Sequence, residues 1–244
     1  MFLSMSVAQP IQPQLSEGSQ VREFPLQPGD HLDRDEFERR YAAATASVKA
    51  ELLEGIVYMA PPVSQANHGG PHFDLIFWLG HYRAAVPAVR GGDNSSLRLE
   101  IKNEPQPDAF LYVLTAYGGQ ADVDDEGYVV GAPEIIAEVS ASTASYDLHV
   151  KKQVYRRNGV KEYIVWRVLE RAIDWMVLRG DEYVQLAASS DGVFRSEVLP
   201  GLWLDAAAMI RGDLSTVVRV QQEGLASLDH IEFVKRLNLQ RPEV

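Results

Sequence analysis

The sequence predicts a mixed α/β fold, with a central mixed sheet and helices packed on it. Three observations carry this. Short apolar runs such as PDAFLYV (107–113), EIIAEV (134–139) and EYIVW (162–166) have the length and side-chain content of buried strands. Stretches with helical spacing of apolar residues stand among them, at 33–44, 67–86 and 145–159. The order is helix, hairpin, helix, several strands, helix, strands, which fits neither a βα barrel nor a strictly alternating doubly wound sheet.

Taken in order, residues 1–30 are rich in Gln, Pro and Ser and read as a flexible tail. A domain is expected over 31–210 and a helical extension over 211–244. Asp33 caps the helix DRDEFERRYAAA, and Glu36, three residues on, completes a capping box. VKAELLEGIVYM reads as two short strands turning at Glu54–Gly55, ended by Pro61 and Pro62. NHGGPHFDLIFWLGHYRAAV reads as a helix with apolar residues at Phe73, Ile76, Phe77, Leu79 and Tyr82, and Phe73, Ile76, Phe77 and Trp78 are assigned to the core. Leu97, Leu99 and Ile101 alternate with polar residues as a strand, and PDAFLYV is the next strand. Residues 115–132, acidic and rich in Gly, read as a mobile loop. The strand PEIIAEVSAS is followed by a helix, SYDLHVKKQVYRRNG, closed by Gly159. VKEYIVWRV and AIDWMVLRG form a hairpin, EYVQLAA and VFRSEVLPGLWL add short strands, and the rest is helical in pieces.

The chain has 244 residues, 46% of them apolar, enough for one generous domain with a substantial core. Its net charge of −11 argues against a general nucleic-acid coat, though not against one local basic face. It has no cysteine, so thiolate zinc sites and disulfides are excluded. No apolar run reaches transmembrane length and the first residues lack a secretory pattern, which makes the cytoplasm, with no membrane partner, the expected location.

The chemistry concentrates in acidic residues on strands. Asp108 follows Pro107 at the start of an apolar strand, where a local backbone contact would be an ordinary use for it. Glu138 is harder to place, because Ile135, Ile136, Ala137 and Val139 surround it. A buried carboxylate must pair, protonate or bind a metal. Asp147, Lys151 and Tyr155 follow at helical spacing and share one face. That face is either a solvated Asp–Lys pair or a lysine reaching toward Glu138. Two carboxylates on adjacent strands suit a hard cation with oxygen ligands, Mg²⁺ or Mn²⁺, and a lysine beside them can position water or stabilise charge on a phosphate.

In chain order, AELLEGIVYMAPP, an NH pair, QPDAFLYV, PEIIAEVSAST, YDLHVKKQVY, GVKEYIV and LPGLWL resemble the Uma-type restriction-endonuclease family of bacteria, within the PD-(D/E)xK nuclease superfamily. Each motif alone is weak; the ordered set covers roughly residues 33–210. The resemblance implies a restriction-endonuclease-like core and a Mg²⁺-dependent endonuclease acting on DNA. It makes Asp108 and Glu138 metal ligands, Glu51 a further acidic ligand or orienter and Lys151 the catalytic lysine, and it places His68 near the site. A homodimer follows by analogy, since two sites on a two-fold cut both strands of a duplex. The chain departs from the superfamily in carrying Ser140, where the usual lysine lies two residues after the Glu, and Lys152 competes with Lys151 for the role. It departs from the family with Trp166 and Arg167 where an aromatic–apolar–Asp run is usual.

Two further readings stand beside this one. A binding or regulatory module on the same fold, weakly active or inactive, suits the negative charge; a phosphatase could use the same carboxylates. The basic run Lys151–Lys161 is either a solvated helix face or a phosphate-facing patch. His68 and His72 lack the Glu of a zinc-protease motif, and Gly69, Gly70 and Pro71 argue against a regular helix between them.

Overall fold

The computed structural model describes residues 24–45, 47–59, 64–141 and 147–240. The first elements are helix α1 (Arg34–Ala42) and the hairpin β1 (Ala50–Leu53)–β2 (Ile56–Met59). The Asp33 side chain accepts from the main-chain N–H of Glu36, as a cap should. The hairpin turns on Glu54 and Gly55 at φ 55° and 75°, the left-handed pair that a two-residue turn requires. Helix α2 (Gly70–Ala85) leads to β3 (Val89–Gly92), β4 (Leu97–Arg98), β5 (Ala109–Val113), β6 (Asp122–Val123), β7 (Val129–Val130) and β8 (Ile135–Ser140). After α3 (Lys152–Arg157) come β9 (Glu162–Arg167), β10 (Ala172–Arg179), β11 (Glu182–Gln185), β12 (Val193–Arg195) and β13 (Trp203–Asp205). Helices α4 (Ala206–Arg211), α5 (Leu214–Leu225) and α6 (Leu228–Leu239) complete the described chain.

The main sheet has six strands in the order β11-β10-β9-β8-β5-β3. β8 and β9 run parallel, joined by the segment that carries α3, and the other neighbours are antiparallel. The mixed α/β fold is thus the one expected. Both faces of the sheet are covered, which explains why its strands read as near-continuous apolar runs rather than alternating ones. Alternation still decides which core each residue enters. Leu111, Ile135, Ala137, Val139, Ile164 and Trp166 join Trp78, Leu79, Val217 and Phe233 on one side. Phe110, Tyr112, Ile136, Tyr163 and Val165 join Val154 and Tyr155 on the other.

Several sequence expectations change. Phe73 and Phe77 are 70% and 42% exposed, while Leu75, Trp78, Leu79 and Tyr82 face the core. The expected apolar stripe on α2 therefore holds at Trp78, Leu79 and Tyr82 and fails at Phe73 and Phe77. The chain also winds through Gly69, Gly70 and Pro71, as a wide π-type turn (Gln65–Gly69) running into α2. Residues 115–132 are not a bare loop. They include a short turn at Thr115–Tyr117 and two strands that build a small sheet with β4, in the order β4-β7-β6. Arg98 ties this sheet down through ion pairs to Glu38, Asp124 and Glu126. Residues 1–23 and 142–146, the starts of the expected tail and of the expected helix, lie outside the described residues. Leu26 is buried in a satellite core with Phe37, Leu52 and Val57. The late helices pack on the main sheet, and the His230 ring lies edge-on to Tyr82 at 6.0 Å.

Two buried carboxylates are purely architectural. Glu162 accepts from the Trp175 ring N–H, the Ser196 hydroxyl and the main-chain N–H groups of Glu197 and Val198, pinning that segment to the sheet. Glu104, 1% exposed, bridges to Leu52 through its backbone, and one oxygen of its carboxyl lacks a partner among the described residues. Burial, reinforced by Glu38 and opposed by Ser96, pushes its pKa up to about 8.

The folded chain therefore holds a proton on Glu104 that the unfolded chain releases above about pH 4.5. This part of the stability is complete below that value and is lost as pH rises through about 8. Glu104→Gln keeps the shape and removes the ionisation. Denaturant midpoints of the variant should fall less than those of the wild type across this range, leaving the variant the more stable at the alkaline end. Parallel profiles would refute the assignment.

Candidate active site

The site begins where a strand ladder stops. β5 and β8 pair through Ala109↔Ala137, Phe110↔Ile136 and Leu111↔Ile135. One step further would set Asp108 opposite Glu138, and there the side chains take over from the backbone. The main-chain N–H of Asp108 donates to Glu138 Oε2 at 3.3 Å, and that of Val139 donates to Asp108 Oδ2 at 2.7 Å. Each carboxylate thus satisfies a donor on the other strand. Because Ala137 and Val139 point into the first core, Glu138 must point into the second, toward α3.

Lys151 meets it there. A wide turn (Asp147–Lys151) precedes α3 and buries both Asp147 and Lys151. The Lys151 ammonium donates to Glu138 Oε1 at 3.0 Å, lies 3.2 Å from Glu51 Oε2 and 4.0 Å from Asp147 Oδ1. One turn on, the Tyr155 hydroxyl donates to the same Glu138 oxygen at 2.9 Å. Glu51 arrives from the hairpin. Ala50 and Leu52 face the satellite core, so Glu51 and Leu53 face the other way, Leu53 into the second main core. The main-chain N–H of Gln106 fixes the Glu51 carboxylate at 3.1 Å. His68 approaches from the start of α2, with Nε2 3.1 Å from Asp108 Oδ1. His72, whose ring stacks on His68 at 5.6 Å, places Nε2 2.9 Å from the Asp108 carbonyl oxygen, a contact that needs the proton on Nε2.

The electrostatics are strained. Burial, and then the carboxylates of Asp108, Asp147 and Glu51, hold Glu138 well above the usual carboxylate range against the pull of Lys151. Burial also raises Glu51, opposed by Lys151 and the Gln106 N–H. For Lys151, burial disfavours the ammonium, but Glu138, Glu51 and Asp147 outweigh it and lift the pKa above the ordinary lysine value. Burial likewise resists charge on Asp108, yet its contacts with His68 and the Val139 N–H prevail and lower it. His68 is correspondingly raised, chiefly by its hydrogen bond to Asp108.

All five residues named from the sequence therefore converge. The sequence reading missed three others: Asp147 and Tyr155 as members of the cluster, and Gln106 as the anchor of Glu51. Asp147 and Tyr155 were visible as the stripe they form with Lys151. The basic run resolves differently from the phosphate-facing alternative. Arg156 pairs with Glu182, Arg157 with Glu54 and Glu100, and Lys161 with Glu134. Lys152 is only partly buried and stands apart from the carboxylate cluster that encloses Lys151.

The donors fit a hard divalent cation in kind: they are carboxylate oxygens, and they outnumber the one lysine among them. Among the described residues, however, no three His, Asp or Glu side chains stand together as a ready-made ligand group. The lysine ammonium bridges Glu51 and Glu138 instead.

Residues 34–207 match the family described as "Uma2: Putative restriction endonuclease". This is well over half of the chain, and the chain belongs to that family, as its motifs indicated. No curated protein matches it. Among solved structures, a nuclease titled as putative and as belonging to DUF820, from Anabaena variabilis ATCC 29413, is similar at 12% identity and a TM-score of 0.49, over 72% of this chain and 97% of that one. Among the described residues, no helix is long and apolar enough to cross a membrane.

Lys151→Ala would leave Glu51, Glu138 and Asp147 without their shared cation. Metal-free protein should lose about 3 kcal/mol of stability in urea. Added Mn²⁺ should then raise the melting temperature of the variant more than that of the wild type, because the cation takes over the lysine's charge. An unchanged stability would refute the packing described for Lys151.

Proposed function

We propose that this member of the Uma2 family is a metal-dependent endonuclease that hydrolyses phosphodiester bonds, with DNA as substrate and Mg²⁺ or Mn²⁺ as cofactor. One observation carries the reading. Three carboxylates, Glu51, Glu138 and Asp147, stand within 4.0 Å of a single buried ammonium, and Asp108 joins Glu138 where the β5–β8 ladder opens. An arrangement made only for stability would balance those charges, as Glu134 is balanced by Lys161.

Asp108 and Glu138 would hold the cation, with Glu51 as a third or orienting carboxylate. The bound cation would supply Lewis acidity at the phosphate and lower the pKa of a bound water. The protein does the rest. Lys151 stays charged because the carboxylates keep its proton on Nζ, so it can donate to the attacking water or to a non-bridging phosphate oxygen. Glu51 and Glu138 fix where Nζ points, and Tyr155 fixes Glu138. His68 holds Asp108 by its second oxygen, leaving Oδ2 on the Val139 N–H. Two subunits on a two-fold would serve both strands of a duplex.

The alternative is a cation-binding module that does not cut. The net charge of −11 favours it, since it works against phosphate binding away from the site. Calorimetric titration of Mn²⁺, run beside plasmid nicking on the same preparations, separates the two. The wild type should bind and nick, and Asp108→Ala should do neither. Binding that persists in Asp108→Ala would sink the site, while wild-type binding without nicking would leave the module. On the same assay Lys151→Ala should nick about 100-fold or more slowly, whereas Lys152→Ala should stay near the wild-type rate. The reverse order would give the role to Lys152.

A further inference from the structure

A cavity of about 520 Å³ lies beside the carboxylate cluster and is separate from it: Glu51, Asp108, Glu138 and Lys151 are not among its lining residues. Its size is in the range of about 300–1,000 Å³ typical of small-molecule sites. Two features join it to the cluster. Gln106 gives its main-chain N–H to Glu51, while its side-chain Nε2 donates to Tyr41 and Ser96, both of which line the cavity. Lys49 is exposed at the cavity wall and stands two residues before Glu51 in the chain. The cavity is therefore separated from Glu51 by one residue, Gln106.

The walls narrow the choice of occupant. Tyr112 and Tyr128 supply aromatic surface, and Arg98 sits 4.0 Å from the centroid of the Tyr128 ring, which fixes that ring in place. Asn94 and Ser95, both exposed, add amide and hydroxyl groups that can donate or accept. Aromatic faces combined with neutral donors and acceptors suit a planar heterocycle with polar edges. Among the described residues, no acidic side chain lines the cavity and Lys49 is the charged group on its wall, placed for an adjoining phosphate.

We propose that this cavity takes one nucleobase of the substrate strand, turned out of its stack, next to the phosphate held at Asp108 and Glu138. The proposal rests on the nuclease reading and adds a base subsite to it. A base that must leave its stack is cheapest to extract from single-stranded or mismatched nucleic acid, so the subsite would bias cleavage toward such places.

The test is equilibrium binding of short fluorescent single-stranded oligonucleotides, as DNA and as RNA, in Ca²⁺ to allow binding without turnover. A single abasic position is moved along each strand. One position should weaken binding about 10-fold when its base is removed. Tyr128→Ala, which removes a ring, and Ser95→Trp, which fills the cavity, should each weaken binding of the intact strand to a similar degree and abolish the effect of that position. Both residues are exposed, so neither change threatens the fold. The same coupling on RNA in place of DNA would support the cavity and assign the strand. A flat abasic scan, or a position effect that survives in both variants, would overturn the subsite and leave the nuclease reading intact. Absence of oligonucleotide binding by the wild type would overturn the subsite, and plasmid nicking by the same preparation decides the nuclease reading separately.

Discussion

Everything at the site depends on one lysine placed among more negative charge than it can neutralise. Lys151 is 5% exposed and lies within 4.0 Å of Glu138, Glu51 and Asp147. The hairpin, the central sheet and the segment leading into α3 each contribute a carboxylate to it. Move any of these elements and the lysine loses a partner, and a buried charge without partners costs several kcal/mol. The ammonium is thus a structural keystone in the metal-free protein as well as a candidate for the chemistry.

The contrast with the other buried carboxylates gives this its meaning. Glu162 has four donors and Glu134 has the Val113 N–H and Lys161, so each is matched locally and stabilises a strand junction. Asp108 and Glu138 also satisfy backbone donors, but they face one another and a third and fourth carboxylate. Polar satisfaction and charge balance are separate conditions. Glu134 meets both, Glu162 meets the first through neutral donors, and the cluster meets the first but sets three carboxylates around one ammonium, so it fails the second. That failure is the property a cation site needs, because the repulsion is relieved when a cation arrives.

The sequence carried the central sheet well, because strands buried on both faces leave dense apolar runs that turns and glycines delimit. It also singled out Glu138, which broke an apolar run, and offered Lys151 as its partner in one of two readings of the helix face, while Glu51 and His68 came from the family resemblance alone. What it could not carry was set by tertiary contacts. The face of α2 was misplaced because Phe73, Ile76, Phe77 and Trp78 are all apolar, and only packing against Trp175 and the late helices shows which of them turn inward. The segment 115–132 looked like a loop because its short strands carry few apolar residues, and its order comes from Arg98, a residue far away in the chain. The basic run after Lys151 could be read as a solvated helix face or a phosphate face because its partners, Glu54, Glu100, Glu134 and Glu182, lie on other elements.

That last point bears on how an acidic protein could hold a polyanion. Proteins that bind nucleic acid through many lysines and arginines release a counterion for each phosphate they neutralise, and their affinity falls steeply with monovalent salt. Here Arg156, Arg157 and Lys161 are committed to the protein's own carboxylates, so they add little to such a term. For a nuclease built this way, attraction for the phosphate would come mostly from a cation at the proposed Asp108–Glu138 site, with Lys151 beside it. Removing the divalent cation would then leave a cluster that repels the substrate. The negative charge, which at first argues against a nucleic-acid enzyme, becomes under this arrangement a means of making substrate binding conditional on the metal.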